Sequence, residues 1–182
     1  RQFPSRPPLG TGIVRSVYML VMIPVFAFGA TANTLTSRLI GEGKQNEVMP
    51  TVFKTIGQGL IAILPVLLCC LFIPHTVLSI YTDDLVLADA SIPSLLVICC
   101  ASIAMSFGIP LFEAVSGTGN TTNALILESV VLIAYTFSVW FFASYISTRV
   151  EWVWTSEFTY GTLIGLVSWL FMRFASWQRK KI

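Results

Sequence analysis

Phe112-Glu113-Ala114-Val115-Ser116-Gly117-Thr118-Gly119-Asn120-Thr121 places a carboxylate at the end of an apolar run that breaks at once into a glycine-rich turn. A second apolar run follows, so the stretch reads as the closed end of a hairpin of two long elements. Both arms are continuously apolar and do not alternate with period two, which makes them helices and not strands of a barrel. A charged group inside such a run is expensive unless it has a partner or a task.

Working outward, five apolar stretches are expected as membrane-spanning helices, at about 14–40, 52–73, 90–116, 122–146 and 158–177. Each reaches the ~20 residues a helix needs to cross the hydrocarbon core. Composition agrees, with 55% hydrophobic and 11% charged residues in 182 and a mean hydropathy of +0.79. Soluble domains carry about 25% charged residues. The net charge of +2 is too small and dispersed for a nucleic-acid footprint. Pro24, Pro65 and Pro110 fall inside expected spans, where neighbouring helices can satisfy the carbonyls they free.

Loop charge sets an expected orientation. The segment carrying Arg38, Lys44 and Lys54 is basic, whereas 76–89 holds Asp83, Asp84 and Asp89 without Lys or Arg. The positive-inside tendency puts the first inside and the second outside, with the 117–121 turn and the Arg179-Lys180-Lys181 tail inside and 149–157 outside. Residues 1–13 form an atypical Pro/Arg stretch that fits neither a span nor a signal peptide; it is expected to be disordered or non-native, with 14–182 forming the membrane domain. Cys69-Cys70 and Cys99-Cys100 lack metal-claw spacing and read as small packing residues. His75 sits at a span end and suggests neither catalysis nor metal binding. No zinc-protease, nucleophile-elbow or paired-aspartate pattern occurs within the spans, so an enzyme is not expected.

The ionisable groups of the hairpin are the candidate coupling site. At 1.5 Å per residue, Glu113 and Glu128 both lie about 6–11 Å from the turn. On adjacent antiparallel helices two carboxylates at matching depth could share a proton; alternatively they neutralise Arg38 or cap helix ends. Ser102, Ser106, Glu113 and Ser116 recur at helical spacing and form a polar stripe. On the first span Gly29, Asn33, Thr36 and Ser37 share a face suited to close helix packing. Asn33, Ser102 and Ser106 are candidates for lining a substrate cavity. Trp152, Trp154, Trp169 and Trp177 fall near expected membrane edges, as an interfacial belt would. Glu157 is expected at the start of the last helix, with Thr155 or Ser156 as its cap.

Three stretches together resemble the carboxyl-terminal lobe of the multidrug and toxic compound extrusion (MATE) transporters. They are Phe28-Gly29-Ala30-Thr31-Ala32-Asn33-Thr34-Leu35 running into Leu39-Ile40-Gly41-Glu42-Gly43-Lys44, then Leu78-Ser79-Ile80-Tyr81-Thr82-Asp83-Asp84, then Ser116-Gly117-Thr118-Gly119-Asn120-Thr121. The resemblance covers roughly 14–182. It implies an all-α polytopic bundle, half of a two-lobe transporter of twelve helices, with these five spans as helices eight to twelve and the amino-terminal lobe absent. It further implies antiport of drugs or toxic organic compounds out of a bacterium across its inner membrane. The carboxyl terminus would be cytoplasmic, H⁺ or Na⁺ would be the transported cation, and no bound cofactor would be needed. The implied partners are the bilayer, a cationic or amphipathic organic substrate and the missing lobe, with no nucleic acid. The family's cation-binding carboxylate on its tenth helix aligns near Met105, so that ligand does not carry over. The rival readings are a lipid-linked oligosaccharide flippase of the same superfamily and a truncated, non-transporting membrane protein.

Overall fold

In the computed structural model residues 9–142, 144 and 150–174 are described. Among these residues six α-helices follow one another: α1 (Leu9–Gly41), α2 (Val48–Phe72), α3 (Pro74–Ser79), α4 (Leu85–Gly117), α5 (Thr121–Phe141) and α6 (Val150–Phe174), with a 3₁₀ turn, Gln45–Glu47, before α2. No strand occurs among the described residues, and the all-α expectation is met.

Helices Gly12–Gly41, Gln45–Phe72, Leu85–Gly117 and Thr121–Phe141 are long and apolar enough to cross a bilayer. The fifth expected span, α6, has 25 residues but is not one of these four. Glu151, Thr155, Ser156, Glu157 and Thr159 make its first half too polar. Boundaries also shift. The first helix begins at Leu9, within the stretch expected to be atypical, and α6 starts at Val150 instead of 158. Residues 1–8, the far ends of the fourth and fifth expected spans, Trp177 and the basic tail lie outside the described residues.

The turns follow local chemistry. After α1, the Lys44 amide donates to Leu39 O at 2.8 Å and the Gly43 amide to Ile40 O at 3.0 Å. This is a Schellman closure that requires the positive φ of 75° found at Gly43. Gly119, at the hairpin bend, has the same φ of 75°. Glu42 lies between Lys44 Nζ at 2.9 Å and Arg38 Nε at 2.8 Å. Their hydrogen bonds, Lys44's first, hold its carboxyl down to about 2. Arg38 is therefore neutralised by Glu42 and not by either hairpin carboxylate. At the other end His75 Nδ1 and Asp89 Oδ1 form an exposed pair at 3.4 Å.

Asp84 begins α4, its Oδ1 accepting from the amides of Val86 at 3.0 Å and Leu87 at 3.3 Å. Asp84→Ala should lower stability by about 1 kcal/mol, as loss of an N-cap acceptor does, while Asp83→Ala should be neutral. Denaturant unfolding of the two variants reconstituted in lipid checks the difference. From this cap α4 runs 33 residues, or about 50 Å. The aspartate segment and the Thr118 bend thus sit at opposite ends of the bundle, as the loop charges require.

The central position belongs to α4, which packs against α1, α2, α3 and, most extensively, α6; α5 packs mainly on α6. Backbone proximity explains why. A Cβ added at Gly108 would lie 2.5 Å from Gly161 O, and one at Gly161 would lie 2.9 Å from Met105 N. The pair Gly161 and Gly165, one turn apart, forms the small-residue seam that lets membrane helices meet closely. Three apolar clusters fill the rest. Val48, Val52, Leu111, Val115 and Met172 pack near the hairpin bend; Val21, Ile63, Leu67, Met105 and Ile109 lie at mid-height; Val17, Cys70, Leu78 and Leu95 lie toward the aspartate end. All four cysteines are free. Cys70 is fully buried, and Cys99 packs against its cluster, so this pair serves the packing role read from the sequence. Pro24, Pro65, Pro93 and Pro110 all sit within continuous helices.

Candidate functional site

The small-residue face of α1 meets α4. Asn33 Nδ2 donates to Glu113 Oε2 at 2.9 Å, and Ser37 Oγ donates to the Gly117 carbonyl at 2.9 Å. A Cβ on Gly29 would lie 2.8 Å from Ile109 Cγ2 and 3.3 Å from Glu113 Cγ, and one on Gly117 would lie 2.5 Å from Asn33 O. Gly29, Asn33 and Ser37 therefore form a ladder against Ile109, Glu113 and Gly117, each rung one turn from the next. Thr36, on the same face, is buried and its hydroxyl has no partner among the described residues.

Glu113 faces α1, whereas Glu128 on α5 lies within electrostatic reach of Tyr160 on α6. The hairpin does not join its two carboxylates by a hydrogen bond: Glu113 is engaged by Asn33, and α5 leans on α6. Ser102 and Ser106 are buried, and each hydroxyl donates to a carbonyl one turn earlier in α4, Ile98 O at 2.9 Å and Ser102 O at 2.8 Å. They are turned into the α4 backbone and do not line the cavity described next.

That cavity, about 730 Å³, lies between α1, α4, α5 and α6 and is lined by Arg15, Tyr18, Met19, Met22, Ile23, Phe26, Met105, Tyr135, Trp154 and Glu157. Its size falls in the range of small-molecule sites, about 300–1,000 Å³. Glu157 is the polar centre. Tyr18 Oη donates to its Oε2 at 3.0 Å and Tyr135 Oη to its Oε1 at 2.8 Å. One carboxylate thus ties together α1, α5 and α6. Tyr18 meets Trp154 edge-on with ring centroids 5.9 Å apart, and Tyr135 meets Tyr160 at 5.5 Å. The Trp154 Nε1 is buried and has no partner among the described residues. The remaining lining is methionine and aliphatic or aromatic carbon. Such a surface adapts to varied apolar shapes and presents ring faces to a cation.

The reading of Glu157 as a first-turn residue is corrected here. Because α6 begins at Val150, Glu157 lies two turns inside the helix and points at two tyrosines. Trp154 likewise packs in the cavity beside Tyr18 instead of standing only in an interfacial belt. Tyr18, Tyr135 and Tyr160, isolated phenols in apolar runs on three helices, were the one signal in the sequence that could have found this site. Only their convergence gives it meaning.

An all-α membrane bundle with an apolar, partly polar cavity has the form of a transport domain. A family model described as MatE matches residues 10–140, and the chain belongs to that transporter family. No curated protein and no solved structure matches it.

Proposed function

We propose that this chain is the carboxyl-terminal lobe of an exporter that moves drugs or other amphipathic organic compounds out of a bacterial cell in exchange for inward H⁺ or Na⁺. The observation that carries the reading is the Glu157 cavity, a small-molecule-sized space with adaptable walls and one carboxylate. The basic end around Arg38 and Lys44 would face the cytoplasm, and the carboxyl terminus with it. The bilayer and a second six-helix lobe are the partners, and alternating access comes from one lobe rocking against the other. A flippase for lipid-linked oligosaccharides would line its path with several Arg and Lys to hold phosphate; among the described residues this cavity has Arg15 as its basic group.

Within this function Glu113 and Glu128 remain candidates for cation coupling, with Asn33 as the group that orients Glu113. Glu113→Gln and Glu128→Gln, in a transporter carrying both lobes, should each reduce pH-driven uptake of a fluorescent organic cation into everted vesicles by tenfold or more. Wild-type efflux in both variants removes them from the coupling path. A loss in Glu113→Gln that Asn33→Asp or Asn33→Ala reproduces would mark the pair as one unit. Absence of any dye flux in vesicles carrying the wild-type chain together with the second lobe would sink the exporter reading itself.

A further inference from the structure

A second concavity, about 420 Å³, runs along the α4–α6 seam and shares no lining residue with the Glu157 cavity. Its floor is bare because Gly161 and Gly165 hold α6 against the α4 backbone. Phe107, Leu111, Phe158, Leu166 and Trp169 stand along it. Among the described residues the lining carries no charge, and its Thr162 hydroxyl donates to Phe158 O at 2.8 Å. The rise from Phe158 to Trp169 is about 16 Å, the depth of one leaflet of a ~30 Å hydrocarbon core. The groove then ends at a charge. One turn beyond Trp169, the Arg173 guanidinium lies over its ring, 6.0 Å from the centroid. Arg173 is exposed and has no ion pair among the described residues. It belongs to the basic end of the bundle, since its neighbour Met172 packs with Val48 and Val115 near the hairpin bend. Residues 173–182 hold Arg173, Arg179, Lys180 and Lys181 and no acid. A hollow on α5 around Leu132, Thr136 and Trp140 is equally apolar, but no basic residue lines it among the described residues.

From this juxtaposition we propose that the α4–α6 groove holds one anionic phospholipid from the leaflet at the basic end, its acyl chain in the furrow and its phosphate on Arg173. A leaflet-deep apolar slot closed by one unpaired cation matches the two halves of such a molecule. The planar guanidinium suits a phosphodiester, and basic pockets beside helices at the inner membrane face hold acidic headgroups. Trp169 sits where both halves meet. Its ring bounds the slot and keeps Arg173 over the mouth, as an interfacial tryptophan can. A phospholipid whose headgroup carries its own ammonium fills the slot equally well but brings a like charge toward Arg173. Packing of a second copy through this face is opposed for the same reason, because a two-fold contact sets Arg173 near Arg173. The site lies outside the proposed transport cavity and does not rest on the export reading, so its test needs no flux.

The experiment is native mass spectrometry of the full chain in detergent, titrated with phosphatidylglycerol or with phosphatidylcholine of identical chains. Phosphatidylglycerol should bind about fivefold tighter, the scale of one basic group at a membrane surface. Arg173→Gln should abolish that preference, and Arg173→Lys should keep most of it. Thr162→Phe, which places a ring in the furrow at an exposed position, should weaken both lipids fivefold or more. Thr136→Phe, on the α5 hollow, should leave the preference unchanged. Melting profiles matching the parent show that the variants fold; if Thr162→Phe melts lower, Thr162→Leu serves the same arm. Equal affinity for the two lipids in the wild type overturns the proposal. So does a preference that survives Arg173→Gln, which would assign the attraction to the Arg179-Lys180-Lys181 tail. Lipid binding indifferent to every furrow variant overturns it as well, since charge alone would then be at work. Glycerol phosphate that competes as strongly as the whole lipid would mark a free-anion site instead. A dimer that Thr162→Phe dissociates, with lipid binding unmoved, would make a second copy the occupant and likewise overturn it.

Discussion

Gly161→Leu should destabilise the bundle by about 3 kcal/mol, the upper end of overpacking costs, and disrupt the α4–α6 contact. Even a methyl group at Gly161 would stand 2.9 Å from Met105 N, 3.0 Å from Ala104 C and 3.1 Å from Met105 Sδ. Two of those atoms are backbone and cannot swing away, so the helices must separate. Separation exposes Gly108 and Gly165 and loosens the cavity, since Met105 belongs to its wall. Gly57, with nothing within 4 Å of an added Cβ, supplies the contrast. In α2, Gly57→Ala should be neutral or stabilising by about 0.5–1 kcal/mol, because alanine loses less backbone freedom in a helix. Unfolding of the reconstituted variants, followed by tryptophan fluorescence, measures both. A Gly161→Leu protein as stable as the parent would mean that the close crossing of α4 and α6 is not the framework of the fold.

The second large effect concerns Glu157→Ala. The substitution leaves the hydroxyls of Tyr18 and Tyr135 without their acceptor and unties three helices. Interhelical hydrogen bonds in lipid are worth about 0.6 kcal/mol on average and at most about 1.7, so two of them should cost about 1–3 kcal/mol. Glu157→Gln keeps the shape and one carbonyl acceptor and should cost less than half as much, yet it removes the charge. Stability and function therefore separate. Alanine should weaken both folding and efflux, whereas glutamine should spare folding and still lower efflux at least tenfold. Efflux that simply tracks stability across the two variants would assign Glu157 a tethering role alone.

How much of this was readable beforehand differs between the helices and the site. The membrane class, the helical type of each apolar run and the hairpin bend at Gly119 follow from composition, continuous hydrophobicity and one positive-φ glycine, all of which are local properties. The stretches Phe28 to Lys44, Leu78 to Asp84 and Ser116 to Thr121 together resembled the family, and the small-residue face through Gly29, Asn33 and Ser37 does pack closely, on α4. By contrast, the pairing of Glu113 with Glu128 was inferred from depth along a hairpin. Depth does not say which way a side chain turns. Ser102 and Ser106 share a helical face with Glu113 by spacing, but a hydroxyl in an apolar setting can satisfy itself on its own helix, and these do.

Alone, then, the order of residues determined that the chain is a bundle of lipid-soluble helices, where those helices turn, and which end is basic and which acidic. Only the three-dimensional packing decided that α6 nests on α4 through Gly108, Gly161 and Gly165, pushing α5 aside. That packing also brings Tyr18, Tyr135 and Glu157, far apart in the chain, to a single cavity. The reason is physical: hydrophobicity and turn preference act over a few neighbours, while helix partners are chosen by backbone fit between segments that no local pattern links.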